Sequence, residues 1–387
     1  MKKLAIVTTH PIQYNAPLFK LLHERNNIEI KVFYTWSQAA SGEKYDPGFA
    51  KTVQWDLPLL EGYPFVFSEN ISDFPGSHHY KGIDNPSLVS EISAWNADAV
   101  LVYGWNFKSH RKVMRFFYGN MPVVFRGDST LLDEQPGIKK ILRRIYLRYI
   151  FSSVNTALFA GKANKAYFLA HGLKERQLVF MPHAVDNNRF AGNKENMGKA
   201  AGLRQQLTIP SSALVFLYAG KLETKKQPVM LAEVFSELKA ENAYIIIAGS
   251  GELEREMHEL FRDNDHIRFM GFQNQQQMPT VYAASDVFIL PSAGPGETWG
   301  LSINEAMAAG KAIIASDACG AAYDLVTDGV NGFVFDKNDK QALKKSMSFF
   351  YEDRQAAVRM GKASLEKIKR YDYHHDCLAI ESTINEN

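Results

Sequence analysis

Short apolar runs recur along this chain, each followed by a helical pattern, and that alternation limits the possible folds more than any other feature. Residues 4–7, 29–34, 99–103, 123–125, 156–159 and 178–181 are such runs. They are too short for helices and mostly apolar, with Glu29 and Lys31 the charged exceptions, so they read as buried strands of a parallel sheet. Helical periodicity lies between them, as at 16–25 and 164–171. A polar stretch follows at 186–207, where Asn187, Asn188, Asn193 and Asn196 cluster, and it reads as a linker. The series then restarts with strands expected at 214–219, 244–248, 267–270, 287–290, 312–315 and 332–335. Helices are expected at 226–241, 252–262, 276–284 and 302–309, and a last one at 371–384. Repeated β–α units imply parallel sheets with right-handed crossovers. The pattern therefore predicts an α/β chain of two Rossmann-like β/α/β domains, and 387 residues are enough for two.

Composition narrows the classes further. At 46% hydrophobic and 22% charged the chain is ordinary globular protein. Cys319 and Cys377 form neither a disulfide framework nor a metal-ligand cluster, which points to a reducing compartment. The first apolar run stops at Thr8-Thr9-His10-Pro11, too soon for a signal peptide, and no uncharged run reaches the roughly 18 residues that a membrane span needs. A cytoplasmic protein is the expectation. A net charge of +2 predicts no nucleic-acid partner, yet ten basic residues against three acidic ones fall within 100–151. There, Ile138–Phe151 reads as a basic amphipathic helix, and 108–118 sets Arg111, Lys112 and Arg115 beside Phe116-Phe117-Tyr118. Such a surface can rest on an anionic membrane, here the inner face of a plasma membrane. A core helix with a basic outer face would give the same pattern.

The chemistry is concentrated in Glu297-Thr298-Trp299-Gly300-Leu301-Ser302-Ile303-Asn304-Glu305. Pro291, Gly294, Pro295 and Gly296 put Glu297 in a loop, while 302–309 reads as a helix closed by Gly310. A loop feeding a helix N-terminus offers backbone N–H groups and a positive dipole end to a phosphate. Two flanking carboxylates can accept from sugar hydroxyls. Upstream, Gly220-Lys221 and Lys226 directly follow the strand at 214–219, where two cations can clamp a diphosphate. A solvated basic helix start would look alike.

This stretch resembles the Glu-x7-Glu signature of retaining family-4 glycosyltransferases. The resemblance covers nearly the whole chain and is strongest from about 179 to 335. It implies the GT-B fold, with two Rossmann-like domains facing a cleft and a C-terminal helix crossing back to the first. The division expected is 1–187 plus 371–387 for an acceptor-binding domain and 188–370 for a nucleotide-sugar-binding domain. It further implies that Glu305 holds the ribose hydroxyls and that Glu297 lies by the donor hexose. The backbone of Trp299, Gly300 and Leu301 would meet the pyrophosphate, and Lys221 (an Arg in the usual pattern) and Lys226 would stabilise it. Gly249, in Gly249-Ser250-Gly251, and Phe272 resemble segments that contact the nucleotide. No Asp-x-Asp triplet is present, so neither a metal nor any other cofactor is implied.

The first half departs from the family pattern. His10, Gln13 and Asn15 replace a glycine-rich loop and resemble a subset of bacterial surface-polysaccharide transferases; they are acceptor-side candidates, or a polar turn. Asp128 stands where the family usually has a histidine and is a catalytic candidate, or an N-cap. His183 reads as a hinge or packing residue. The sequence thus predicts a retaining hexosyltransferase using a UDP- or GDP-sugar and a glycan or lipid-linked acceptor, in surface-polysaccharide synthesis. A GT-B nucleotide-sugar epimerase and a non-catalytic two-domain sugar-binding protein are the alternatives.

Overall fold

The computed structural model describes residues 1–39, 43–46 and 48–386. The chain divides into two compact units, one of Met1–Lys44, Leu57–His183 and Tyr373–Asn387, the other of Tyr45–Asp56 and Ala184–Asp372.

The first unit holds a seven-stranded sheet in the spatial order Phe65–Phe67, Glu29–Tyr34, Lys3–Thr8, Ala99–Tyr103, Val123–Arg126, Thr156–Phe159, Leu178–Phe180. Every pairing is parallel. The central strands are buried on both faces, as their unbroken apolar character requires. Chain order reverses between Lys3–Thr8 and Ala99–Tyr103, the point at which loops leaving a parallel sheet open a crevice. The last helix, Tyr373–Glu386, belongs to this unit. It lies on Ala16–Arg25, where Arg25 donates from Nε and Nη2 to both oxygens of Glu381 at 2.7 and 2.8 Å. That paired hydrogen bond outweighs burial and holds the Glu381 carboxyl below its usual range.

Helix Ile138–Phe151 buries only Leu147, Ile150 and Phe151. Its other apolar residues, Ile138, Ile141, Leu142, Ile145, Tyr146 and Tyr149, are exposed. Beside it, on Lys108–Phe117, Arg115 stacks on Tyr149 and Arg111 on Tyr146. The outer face is therefore mixed basic and apolar, not merely basic. Among the described residues, no helix is long and apolar enough to cross a membrane.

The second unit holds a six-stranded parallel sheet in the order Ile267–Gly271, Ala243–Ala248, Leu214–Ala219, Val287–Leu290, Ala312–Ser316, Gly332–Phe335. Its core is continuous from Phe216 and Ile245 through Ile289 and Ile314 to Phe350. Chain order reverses between Leu214–Ala219 and Val287–Leu290. Residues 186–207 are not a linker. They form helices Asn187–Phe190 and Lys194–Gln206, because Asp186 and Asn193 act as N-caps, accepting from the N–H groups of Arg189 and Asn196. Clustered asparagines that look like a linker are in part helix starts. The second unit also takes Tyr45–Asp56, which in sequence lies between two strands of the first sheet. There, Glu43–Asp46 pairs with Lys51–Gln54.

Candidate functional site

The two loops at the reversal point of the second sheet carry most of the candidate residues. Gly220 and Lys221 leave Leu214–Ala219 and run into the short turn Thr224–Lys226. The stretch from Pro291 to Gly300 leaves Val287–Leu290. The Ala293 N–H donates to the Lys225 carbonyl at 2.8 Å, tying one loop to the other.

Lys226 Nζ donates to Glu297 Oε2, and so does Ser292 Oγ at 2.7 Å. Ser292 is itself buried, and its carbonyl accepts from Ser316 Oγ. The loop is braced from behind. The Gly320 N–H donates to the Glu297 carbonyl and the Ala321 N–H to that of Trp299, at 3.2 and 2.9 Å. A Cβ on Gly320 would lie 1.9 Å from the Thr298 carbonyl oxygen, so any side chain there would push the loop away. Trp299 is buried and donates from Nε1 to Asn304 Oδ1 at 2.8 Å.

Gly300 has φ +103°, a conformation glycine adopts without strain, and it turns the chain directly into helix Leu301–Ala308. No side chain caps that helix start. Glu305 sits one turn inside, only 3% exposed, and accepts from the buried Tyr282 Oη at 2.7 Å. A buried carboxylate is tolerable only with such partners.

Lys221 Nζ donates to Asp46 Oδ1 at 2.7 Å. Burial would raise the Asp46 pKa, but the hydrogen bond and charge of Lys221, with the Gly48 and Phe49 N–H groups, pull it below the usual range. Gly249 has a packing role. With φ +153°, its Cβ position lies 1.8 Å from the Gly220 carbonyl oxygen, so only glycine lets the two strand ends approach. Phe272 meets Phe49 edge-on at 4.9 Å between ring centroids and Trp55 at 6.3 Å.

In the first unit, His10 follows the strand Lys3–Thr8. Its Nδ1 lies 2.9 Å from Thr9 Oγ1, and its ring meets Trp36 edge-on. Gln13 lies in the turn before helix Ala16–Arg25, and Asn15 is that helix's N-cap residue without a side-chain cap bond. Asp128 follows Val123–Arg126, two strands away from Lys3–Thr8, and lines a cavity of about 290 Å³ with Trp105, Phe107 and Tyr167. His183 is half-buried, and desolvation, helped by the Arg126 guanidinium and opposed by Asp128, pushes its pKa down to about 4. Arg126 itself donates to the Leu158, Met181 and Pro182 carbonyls.

The structure thus gathers Lys226, Glu297, Gly300, Leu301 and Glu305 around one loop and helix start. Lys221 and Phe272 lie at the ends of two strands of the same sheet, Leu214–Ala219 and Ile267–Gly271, with Ala243–Ala248 between them. Sequence reasoning missed Ser292, Tyr282, Asp46, Phe49 and Trp55. Ser292 had a usable signal, since it lies two residues past the end of a strand at the reversal point. Tyr282 and Asp46 had none, because their partners are distant in sequence.

Residues 201–367 match the family described as glycosyl transferases group 1. This segment is a group 1 glycosyltransferase domain. It contains Lys221, Lys226, Glu297 and Glu305. Among curated proteins, a sulfoquinovosyl transferase of Arabidopsis thaliana is 26% identical over 231 residues, 59% of this chain and 44% of the relative. A D-inositol 3-phosphate glycosyltransferase of Geodermatophilus obscurus is 28% identical over 329 residues, 75% of this chain and 70% of the relative. The chain spans about half the length of the first of these relatives, 44%. Among solved structures, Anabaena HepE in complex with UDP and glucose aligns over 100% of both chains, with a TM-score of 0.72 and 18% identity. WaaG, a glycosyltransferase of lipopolysaccharide biosynthesis, aligns over 99% of this chain and 100% of its own, with a TM-score of 0.69 and 13% identity. The group 1 domain and the sheet that precedes it therefore have the GT-B fold.

Proposed function

We propose that this protein is a retaining glycosyltransferase that moves a hexose-type sugar from a UDP- or GDP-sugar to a hydroxyl of a glycan or lipid-linked acceptor, in the synthesis of a surface polysaccharide. The observation that carries the reading is the Glu297 carboxylate on Lys226 and Ser292, next to an uncapped helix start, within a group 1 glycosyltransferase domain. Glu305 holds the ribose hydroxyls, and the backbone of Trp299, Gly300 and Leu301 meets the diphosphate. Lys226 and Lys221 stabilise the charge that gathers on the leaving group. The anomeric carbon–oxygen bond to the diphosphate breaks while the acceptor oxygen bonds to that carbon on the same face, and the acceptor proton passes to the departing phosphate. His10, Gln13, Asn15 and Asp128 are the first unit's hydroxyl-binding candidates.

The decisive experiment is a thermal-shift screen of nucleotide sugars followed by a nucleotide-release assay. A ligand of the folded state raises its stability by mass action. One UDP- or GDP-sugar stabilises the protein and slowly releases its nucleotide, at the same rate with and without EDTA, because lysines take the place of a divalent ion. Conversion of the free donor to its epimer, with no nucleotide released, would replace this reading with that of an epimerase. Binding without turnover in the presence of acceptor sugars would favour a receptor.

The exposed mixed face of Ile138–Phe151 supports docking on an anionic leaflet, the position a lipid-linked acceptor requires. The protein sediments with phosphatidylglycerol vesicles, and changing the exposed Lys139 and Arg143 to Glu lowers partitioning by about tenfold or more, at roughly 1 kcal/mol per basic residue at the surface. Wild-type protein left in the supernatant would end that idea.

A further inference from the structure

The second unit includes one piece of chain from outside its continuous run, and that piece lies over the candidate donor loops. Asp46 is bonded to Lys221 at the end of Leu214–Ala219. The Phe49 carbonyl accepts from Ser250 Oγ at 3.1 Å, in the glycine turn after Ala243–Ala248. Gly48 fits so closely that a Cβ would lie 2.7 Å from Lys221 Nζ and 2.4 Å from Glu223 Oε1. At the far end, Asn274 Nδ2 donates to the Gln54 carbonyl at 2.8 Å, and the Gln276 N–H donates to Asp56 Oδ1 at 3.1 Å. Between these fastenings Phe49 and Trp55 gather against Phe272, with Lys51 Nζ 4.9 Å above the Phe272 ring. All three aromatic residues are only half-buried, so each keeps surface for a further planar group.

We propose that Asp46 and residues 48–56 act as a strap completing the donor site. Phe49, Trp55 and Phe272 form an aromatic wall for the nucleobase. The Asp46 carboxylate holds the place of a diphosphate oxygen on Lys221 and is displaced when the donor enters. This rests on the donor reading above. The chemistry is matched: carboxylate and phosphate oxygens accept from an ammonium group in the same way, and two anions side by side on Lys221 repel each other. Aromatic faces hold bases of any identity by stacking. The strap is fastened at both ends and crosses three neighbouring strand ends, so both contacts come from one short segment.

Calorimetry on the full chain, with UDP, GDP and inorganic pyrophosphate, tests this. Asp46→Asn keeps an acceptor for the Gly48 and Phe49 N–H groups but removes the competing charge. It binds pyrophosphate and the nucleoside diphosphate roughly two- to fivefold more tightly, the range of a partly exposed ion pair. Trp55→Ala weakens the nucleoside diphosphate about tenfold, as loss of one stacking partner does, and leaves pyrophosphate unchanged. Phe49→Leu, which keeps bulk, gives the same pattern should Trp55→Ala not fold. Unchanged or weaker pyrophosphate binding in Asp46→Asn overturns the displacement. Equal effects of the aromatic variants on UDP and pyrophosphate, or none, overturn the wall. Wild-type protein binding none of the three ligands overturns the donor reading itself, and the strap with it.

Discussion

Glu305→Ala lowers affinity for the donor nucleotide by about a hundredfold or more, the loss expected when two hydrogen bonds to a charged acceptor, worth roughly 1.5–3 kcal/mol each, disappear. The size of the effect follows from the setting. Glu305 is almost fully buried, and Tyr282 Oη holds Oε2 in place. A carboxylate kept so far from water and fixed by a tyrosine is already oriented, so a ribose spends no ordering free energy on it. Calorimetry with UDP and GDP measures the change, and circular dichroism establishes that the variant is folded. Glu305→Gln retains volume and one acceptor and loses less. A folded Glu305→Ala protein with wild-type affinity would remove the ribose role.

Lys226→Ala lowers kcat by about 10²–10³ and changes KM little, the size of effect seen when one preorganised charge-stabilising group is removed from a reacting centre. Lys226 is the cation held directly on Glu297, whereas Lys221 is shared with Asp46. Ser292 still donates to Glu297 in the variant, so the carboxylate does not lose all its partners. Lys225 is the control. It is half-exposed, pairs with Glu223, and its loss changes kcat less than about twofold, as surface ion pairs do. Single-turnover release of nucleotide from the donor reads both variants. Equal rates for Lys226→Ala and wild type would show that leaving-group charge is stabilised elsewhere.

Both sheets were legible in the sequence because a parallel sheet covered on both faces needs unbroken apolar strands, and a run such as Leu214–Ala219 has no other economical reading. Phe65–Phe67 escaped because an edge strand of three residues has no periodicity to detect. Caps misled at 186–207, where Asp186 and Asn193 start helices that composition alone presents as a linker. The loop from Glu297 to Gly300 was readable as a loop, since its glycines and prolines act locally. The ring of support around it was not. Ser292, Gly320 and Tyr282 reach it through the fold, and the path of 45–56 into the second unit is decided by tertiary contacts with Lys221, Ser250 and Asn274.

Neither unit is one continuous stretch of chain, and this has a consequence for synthesis. All seven strands of the first sheet leave the ribosome early, but the helix that covers Ala16–Arg25 begins at Tyr373, with Cys377, Ile380 and Ile384 as its buried face. The stretch Ala184–Asp372 must be made first. At about 5–20 residues per second this takes on the order of ten to forty seconds. Through that interval the nascent chain presents a greasy helix face to whatever chaperone or neighbouring polysome is close by.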